Sequence, residues 1–164
     1  MSHGQEASGG LLRTVRRMRD TAPVPVLDDP QELRRRVGAA PVARLATIRR
    51  DGRARLVPVT FALVEGLLCF VVDEVKPKRD TRLARLADIA RDPRVTLLVD
   101  HYADDWAALW WVRIDGHAAV HDAGERRERA VDALVAKYPP YRAVRPAGAV
   151  VAITPAAWTG WSAA

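Results

Sequence analysis

The segment from Val42 to Asp73 constrains the fold most strongly, because it has the pattern of three strands joined by two tight turns. Its first part, residues 42–48, alternates between two sets of side chains, as a strand with two different faces does. The dipeptide Asp51-Gly52 follows and supplies the positive φ that a hairpin turn requires. One alternating set is Val42, Arg44, Ala46 and Ile48, and the other is Ala43, Leu45 and Thr47.

The second and third strands of this segment differ in their expected surroundings. The second, residues 53–63, is rich in Val, Thr and Phe but contains Pro58. Proline has no N–H to donate, so this residue belongs at a sheet edge or a bulge. Glu65-Gly66 forms the next turn. The third strand, residues 67–72, is almost entirely apolar, as expected of a strand that is buried on both faces.

The rest of the chain contains further strands and three helical regions. Asp29 followed by Pro30 is typical of a helix start, Gly38 predicts the end of that helix, and Gly116 predicts a bulge in a later strand. Because most connections between neighbouring strands are short, the pattern predicts a mainly β (α+β) fold with an antiparallel, barrel-like sheet of six strands and a few covering helices. The other predicted elements are a helix from about residue 80 to 91, strands at 94–102, 109–120 and 149–154, and a helix at 123–138 that Pro139-Pro140 ends.

The N-terminal residues differ in composition from the rest. Residues 1–10 are small and polar, and an arginine-rich piece with few apolar anchors follows them. We therefore predict a disordered basic leader at residues 1–27 and one domain at residues 28–164.

The chain carries a formal net charge of +6, and two segments account for it. Residues 44–55 hold five Arg and one Asp, and residues 76–85 hold five Lys or Arg and one Asp, so each segment has a net charge of +4. Charge placed this locally favours a polyanionic ligand at one site. The alternative is that these side chains form ordinary solvated faces and turns.

Several function classes lack their usual residues. Serine occurs only at positions 2, 8 and 162, which excludes a serine hydrolase, and no glycine-rich phosphate loop is present. No Cys/His cluster has metal-ligand spacing, so we predict no metal site. The aromatic residues do not interleave with the basic segments, which argues against nucleic-acid binding. No catalytic residue is assigned from the sequence.

The same features predict a cytoplasmic protein that does not bind membranes. No apolar run reaches the roughly 20 residues that cross a bilayer, and the N-terminus has no signal-peptide core. The single cysteine, Cys69, cannot form an internal disulfide and lies in an apolar strand, where a buried, inert thiol is expected.

Three motifs in this order resemble one family. They are ARLATIRRDGRARLVPVTFAL at 43–63, VDEVKPKR at 72–79 followed by a Leu-rich helix, and RDPRVTLLVDHYADDWAALWWVRIDGHAAV at 91–120. Together they resemble the pyridoxamine 5′-phosphate oxidase-like split β-barrel proteins, and within them the actinobacterial branch that uses the deazaflavin coenzyme F420. The resemblance covers about residues 28–161. It implies a six-stranded antiparallel split β-barrel and a homodimer with the cofactor in a cleft at the subunit interface.

The resemblance also implies roles for particular residues. Backbone groups at 57–60 would contact the pyrimidine edge of the cofactor ring, a lysine after the third strand would meet its phosphate, Arg55 would reach its oligoglutamate tail, and a tryptophan would enter from the partner subunit. The implied cofactor-binding set is Arg55, Val57, Pro58, Val59, Thr60, Phe61, Lys76, Lys78, Arg79, Thr81, Arg82, Trp106 and Trp110, with Lys78 as the best match for the phosphate and Trp106 or Trp110 as the partner's residue.

The implied activity is hydride transfer from reduced F420 to an electron-poor small molecule. An FMN-dependent enzyme of the same fold is one alternative, and a non-catalytic protein that sequesters F420 is another. Related FMN oxidases carry an Arg/Ser-rich phosphate pattern on their strands, whereas this chain has Val71 and Val72 there and its basic residues in the following loop. This difference favours the deazaflavin.

Overall fold

The computed structural model describes residues 26–72 and 79–163, without the side chains of residues 79–83. Within these residues the chain forms eight strands, four helices and a short 3₁₀ turn at Trp106–Ala108. The strands are β1 (Val26–Leu27), β2 (Ala43–Ile48), β3 (Ala54–Val59), β4 (Ala62–Val64), β5 (Leu67–Val71), β6 (Arg94–His101), β7 (Trp110–His121) and β8 (Val150–Ser162). The helices are α1 (Pro30–Ala39), α2 (Arg79–Arg91), α3 (Glu125–Lys137) and α4 (Pro139–Ala143).

All strands pair antiparallel in one sheet, whose order is β3-β2-β6-β7-β8-β5-β4, with β1 on the end of β8. β3 and β4 lie at opposite ends of this order, yet only Thr60 and Phe61 separate them in sequence. The sheet must therefore curl until its two ends meet at that corner, which produces an open, split barrel. The predicted mainly β antiparallel barrel with covering helices is confirmed.

The predicted count of six strands is wrong, for two reasons. The second predicted strand divides at Thr60-Phe61 into β3 and β4, which lie on opposite edges of the sheet. In addition, Val26 and Leu27 pair with Trp161 and Gly160 as β1, so regular structure begins two residues before the predicted domain boundary. Residues 1–25, which hold most of the predicted leader, lie outside the described residues.

The last strand is longer than predicted. The sequence predicts that this strand ends at Thr154, but β8 continues through Pro155 to Ser162. The register between β7 and β8 shifts between Asp115 and Gly116, because Ala156 is an extra residue in β8 at this point. Pro155 lies next to this bulge, and a bulge is a place where a strand tolerates a proline. Gly116 suits this position, since a Cβ there would lie 2.5 Å from the Thr154 carbonyl oxygen.

The helix starts follow the sequence signals. The Asp29 side chain accepts a hydrogen bond from the Gln31 N–H at 3.1 Å, and Pro30 is the first residue of α1. α1 runs through Gly38 to Ala39, one residue past the predicted stop. Pro139-Pro140 ends α3 as predicted and also begins α4, because proline suits the first turn of a helix.

Two apolar clusters hold the fold together. The first fills the barrel interior and includes the fully buried side chains of Leu45, Phe61, Leu97 and Ile114. The second packs α3 against β4, β5 and β8 and includes Cys69. Within residues 26–72 and 79–163, no helix is long and apolar enough to cross a membrane.

Candidate binding site

β3 is an edge strand, because β2 is its only partner among the described residues. Its ladder with β2 runs from Ala54 to Val59, and Pro58 lies opposite Arg44. The expectation that Pro58 lies at a sheet edge is therefore confirmed. In an edge strand alternate backbone N–H and C=O groups point away from the sheet, where a ligand can bind them.

A groove with three arginines lies at the end of the sheet where β3 begins. Its volume is about 460 Å³. We call it the arginine groove, and its lining residues are Arg49, Arg50, Asp51, Arg55 and Asp88. Arg49 pairs with Asp51 across 3.3 Å at the surface, where such pairs contribute little to stability. The cationic side chains make the groove suitable for an anionic group.

Asp88 of α2 forms the floor of the arginine groove and is only 4% exposed. The Arg55 Nε donates to its Oδ2 at 2.6 Å, Arg91 pairs with its other oxygen, and the Thr47 hydroxyl approaches at 3.4 Å. Burial by itself raises the pKa of Asp88, but the hydrogen bonds and positive charges of Arg55 and Arg91 outweigh it and hold the pKa below its ordinary value. The ionised carboxylate therefore fixes the Arg55 guanidinium at the groove wall.

The other end of β3 is fixed by the junction of α3 and α4. The Tyr138 hydroxyl lies within hydrogen-bond distance of the Phe61 N–H and C=O, and the Tyr141 hydroxyl lies 3.2 Å from the Thr60 Oγ1. The Lys137 Nζ donates to the Ala40 carbonyl at 2.7 Å. The strand is thus held at its cationic end by Asp88 and at its far end by these three side chains.

Lys137 gives the protein a measurable pH dependence. Burial lowers the pKa of its ammonium from 10.5 to about 8. Between these two values the unfolded chain binds more protons than the folded chain, so the stability that this group contributes rises with pH through that window. We expect the free energy of unfolding of the wild type, relative to that of Lys137→Met, to increase between pH 7.5 and 9.5 in denaturant titrations. The contributions of titrating groups that both proteins share cancel in this comparison. If the difference in free energy of unfolding stays constant or decreases over this pH range, the lowered pKa of Lys137 is contradicted.

The β6–β7 hairpin carries three tryptophans, and the two that belong to the predicted set, Trp106 and Trp110, have different surroundings. Trp106 lies in the 3₁₀ turn at the hairpin tip and is 78% exposed. Trp110 is partly buried, with the Arg36 guanidinium 5.4 Å from its ring centroid and the His101 ring stacked at 6.3 Å. Trp110 thus packs within its own chain, whereas Trp106 projects away from it.

The outer face of the sheet carries apolar side chains at the surface. Leu56 is 66% exposed, Val26 and Leu98 are exposed as well, and the Arg44–Asp100 ion pair, at 2.7 Å, crosses from β2 to β6 on the same face. A shallow depression of about 300 Å³ lies on this face beside the bulge at Ala156 of β8. The residues that line it include Ala46, Ile48, Ala54, Thr96, Asp115 and His117.

The structure brings together part of the predicted set. Residues 57–61 are continuous along β3 and the corner, with Val59 and Phe61 side chains in the core and Pro58 at the surface. Arg55 lines the arginine groove at the opposite end of the same strand. Lys76 and Lys78 lie outside the described residues. Arg79, Thr81 and Arg82 belong to the first turn of α2, where only the backbone is described.

Four residues of this region were missed by the sequence analysis. They are Asp88, Lys137, Tyr138 and Tyr141. In the sequence Asp88 is only one polar position in a Leu-rich helix, and the other three lie where a predicted helix ends. The sequence Lys137-Tyr-Pro-Pro-Tyr141 contains a signal that could have found three of them. Two adjacent prolines force the chain to change direction there, so the two tyrosines on either side cannot both continue the face of one helix.

The described residues hold neither a metal cluster nor a reactive thiol. No group of three or more His, Cys, Asp or Glu side chains in them is placed to hold a metal ion. Burial raises the pKa of the Cys69 thiol to about 11, so this residue stays protonated and unreactive at neutral pH.

The fold and the site together define a split β-barrel protein with an exposed edge strand that leads to a cationic groove. The chain belongs to the pyridoxamine 5′-phosphate oxidase family, whose model matches residues 29–162. The family predicted from the sequence is thus confirmed, and it includes oxidoreductases. A comparison with curated protein sequences gave no significant match.

Solved structures with the same fold include proteins of several kinds. A conserved hypothetical protein from Mycobacterium tuberculosis is 20% identical with a TM-score of 0.70, over 84% of this chain and 87% of that one. An FAD-binding protein from Mesorhizobium loti is 20% identical with a TM-score of 0.62, over 84% and 94%. A heme storage protein from Vibrio cholerae is 11% identical with a TM-score of 0.60, over 81% and 93%. At these identities the likeness establishes the fold alone.

Proposed function

We propose that this protein is an oxidoreductase that binds the deazaflavin coenzyme F420 and transfers a hydride from its reduced form to an electron-poor small molecule. The observation that carries the proposal is the arrangement along β3. This edge strand has backbone groups that point away from the sheet, and the arginine groove lies at its first residues. Family membership and an FAD-binding structural neighbour support a flavin-like ligand.

The dimensions of β3 suit a ligand with a flat ring and an anionic tail. The strand extends for about 17 Å from Ala54 to Val59, at about 3.3 Å per residue. A ring beside residues 57–60 would be hydrogen-bonded by backbone groups, and a carboxylate or phosphate tail would run towards Arg49, Arg50 and Arg55. F420 carries a phosphodiester and several carboxylates, which matches this distribution of charge.

The bound deazaflavin would supply the hydride chemistry. The residues of this chain would orient the ring, neutralise the tail and exclude water from the cleft, which are the usual contributions of a protein to cofactor catalysis. The proton that follows the hydride would come from His101 or Tyr102, at the end of β6, or from bulk water.

The proposal includes a homodimer with the cofactor between the subunits. The exposed apolar residues on the outer face of the sheet, Val26, Leu56 and Leu98, form the type of surface that marks a protein interface. Trp106, which projects from its own chain, is favoured over Trp110 as the residue that enters the partner's site. A monomeric mass in sedimentation experiments with cofactor bound would contradict this assembly.

The basic segment before α2 offers a test of the phosphate contact. We expect Lys78→Ala to weaken F420 binding by roughly 1–3 kcal/mol, which is the scale of a lost charge-assisted hydrogen bond. Isothermal titration of both proteins measures this difference. Arg35→Ala is a matched control, because it removes one positive charge from the exposed surface of α1. Equal affinities of Lys78→Ala and wild type would mean that the phosphate binds elsewhere.

A turnover experiment separates catalysis from sequestration. Reduced F420 would be mixed with the protein and a panel of electron-poor acceptors, such as conjugated enones and nitroaromatic compounds, and the return of oxidised F420 absorbance would be followed. The proposal expects oxidation that depends on protein concentration. Tight binding without oxidation by any acceptor would favour the sequestering alternative, and turnover with FMN alone would favour the FMN enzyme.

A further inference from the structure

The corner between β3 and β4 lacks a strand partner. The β2–β3 ladder ends at Val59, and the β4–β5 ladder begins at Ala62, so Thr60 and Phe61 lie outside both. The Phe61 side chain is fully buried, and a buried backbone N–H or C=O without a partner is costly. Another group must therefore satisfy the backbone of this corner.

Tyr138 is that group. Its hydroxyl accepts a hydrogen bond from the Phe61 N–H at 3.0 Å and lies 2.8 Å from the Phe61 carbonyl oxygen and 2.9 Å from that of Pro41. Its single proton goes to one of the two carbonyls at a time. By engaging both backbone groups of Phe61, Tyr138 takes the place of a neighbouring strand, and through Pro41 it joins the corner to the residues before β2.

Two neighbours of Tyr138 reinforce this contact. The Lys137 Nζ lies 4.3 Å from the centroid of the Phe61 ring, in cation–π geometry, while it donates to the Ala40 carbonyl. The Tyr141 hydroxyl shares a hydrogen bond with the Thr60 Oγ1. Five residues of continuous sequence, 137–141, thus hold both residues of the corner and the segment that enters β2.

The two prolines explain why this short segment is rigid. Tyr138 lies between α3 and α4 with φ −114° and ψ 114°, the extended conformation that a residue before proline prefers. Pro139 then fixes the first turn of α4, and the rings of Tyr138 and Tyr141 pack edge to face with centroids 5.8 Å apart. The phenol of Tyr138 is therefore aimed at the corner by the backbone itself.

The backbone of residues 57–61, beside which the cofactor ring is proposed to lie, is called the cofactor platform. We propose that Tyr138 is a positioning residue for this platform, and that its hydroxyl sets the direction in which the platform presents its hydrogen-bonding groups. The inference rests on the proposed function, because the platform is the part of that function that Tyr138 would control. The β2 ladder fixes one side of β3 as far as Val59, and beyond that point the path of the chain depends on Tyr138 and its two neighbours.

The test replaces Tyr138 by Phe, which removes the hydroxyl and keeps the ring. We expect the dissociation constant for F420 to rise about 10- to 100-fold at a temperature where the variant is fully folded, since small displacements of contact groups have effects of this size. The absorption maximum of bound F420 is expected to shift as well, because the hydrogen bonds to its ring change. Tyr141→Phe, which loses only the contact with the Thr60 side chain, is expected to have a smaller effect of the same sign.

Arg127→Met serves as the matched control. Arg127 is a buried residue of α3, the helix that precedes Tyr138, and its guanidinium donates to the carbonyls of Pro146, Ala147 and Gly148, away from β3. We expect this variant to lower the melting temperature without changing the F420 dissociation constant or the spectrum. If Tyr138→Phe binds F420 as tightly as wild type does, or if Arg127→Met loses as much affinity, the inference is overturned.

Amide hydrogen exchange gives a readout that needs no cofactor. Tyr138→Phe is expected to speed exchange of the Phe61 amide at least tenfold while amides in the middle of β7 keep their protection. Unchanged exchange at Phe61 would overturn the inference even if F420 binds. Wild-type protein that binds neither F420 nor FMN would overturn the proposed function and the positioning role together, and the exchange data would then still report whether Tyr138 holds the corner.

Discussion

Asp88→Asn is expected to lower the free energy of unfolding by roughly 2–4 kcal/mol, or about 5–12 °C in melting temperature. The variant keeps the shape of the side chain but removes the charge that pairs with Arg55 and Arg91. A buried pair that loses one partner leaves a charge without compensation, although Arg55 and Arg91 reach solvent, which lowers the expected cost. Thermal and urea unfolding at pH 7 measure the effect.

The control for this prediction is Asp51→Asn in the same groove. Asp51 and Arg49 are both nearly half exposed, so the loss of their pair is expected to cost less than about 1 kcal/mol. The pKa of Asp88 is lowered in the folded state, so its contribution is present above the ordinary aspartate pKa and is lost as the pH falls through the folded value. The difference in the free energy of unfolding between wild type and Asp88→Asn should therefore become smaller in acid. Equal free energies of unfolding at pH 7 would contradict a role for Asp88 in anchoring Arg55.

The double variant Arg49→Gln/Arg50→Gln is expected to weaken F420 binding by roughly 2–4 kcal/mol, which corresponds to about 30- to 1,000-fold in the dissociation constant. Both arginines line the groove towards which the anionic tail is proposed to run. Because charge-assisted bonds at a partly exposed site are screened by salt, the loss should be largest at low ionic strength. Titrations at two salt concentrations measure both quantities.

Arg34→Gln/Arg35→Gln is the matched control, since it removes the same charge from α1, on another part of the surface. It is expected to bind F420 as tightly as wild type once salt is at a physiological concentration. Equal losses in the two double variants would indicate a general effect of net charge, and no loss in Arg49→Gln/Arg50→Gln would exclude the groove as the site of the tail.

Local signals in the sequence account for much of the fold. Asp51-Gly52 makes the predicted turn, with Gly52 at φ 79°, because this turn depends on two adjacent residues. Pro58 lies on the edge strand because its missing N–H excludes it from the sheet interior, and Asp29-Pro30 begins α1 by the same kind of local chemistry.

The features that were not predicted depend on partners far away in the sequence. The chain turns at Thr60-Phe61, although apolar residues continue through it, and the group that satisfies Phe61 comes from Tyr138, 77 residues later. Pro155 stays within β8 beside a bulge at Ala156, where the register with β7 shifts between Asp115 and Gly116. Asp88 lines the arginine groove because it pairs with Arg55, which lies 33 positions earlier in the sequence. Periodicity within one element contains no information on these contacts.

The sequence predicts the family more directly than it predicts the cofactor. Motif order along residues 43–120 is sufficient to predict the family, and the structure places Arg55 and residues 57–59 on one edge strand. Their role in cofactor binding stays a prediction. The choice of cofactor depends on how the phosphate and the ring are contacted, and Lys76 and Lys78 lie outside the described residues. A direct measurement of the affinities for F420 and FMN therefore distinguishes the two cofactors.

Fluorescence titration of the purified protein with F420 and with FMN, under the same conditions, tests the central claim most directly. The account predicts saturable binding of F420 and binding of FMN that is at least about tenfold weaker, since only the deazaflavin carries the long anionic tail that the arginine groove would hold. Tight binding of FMN with no measurable binding of F420 would contradict it.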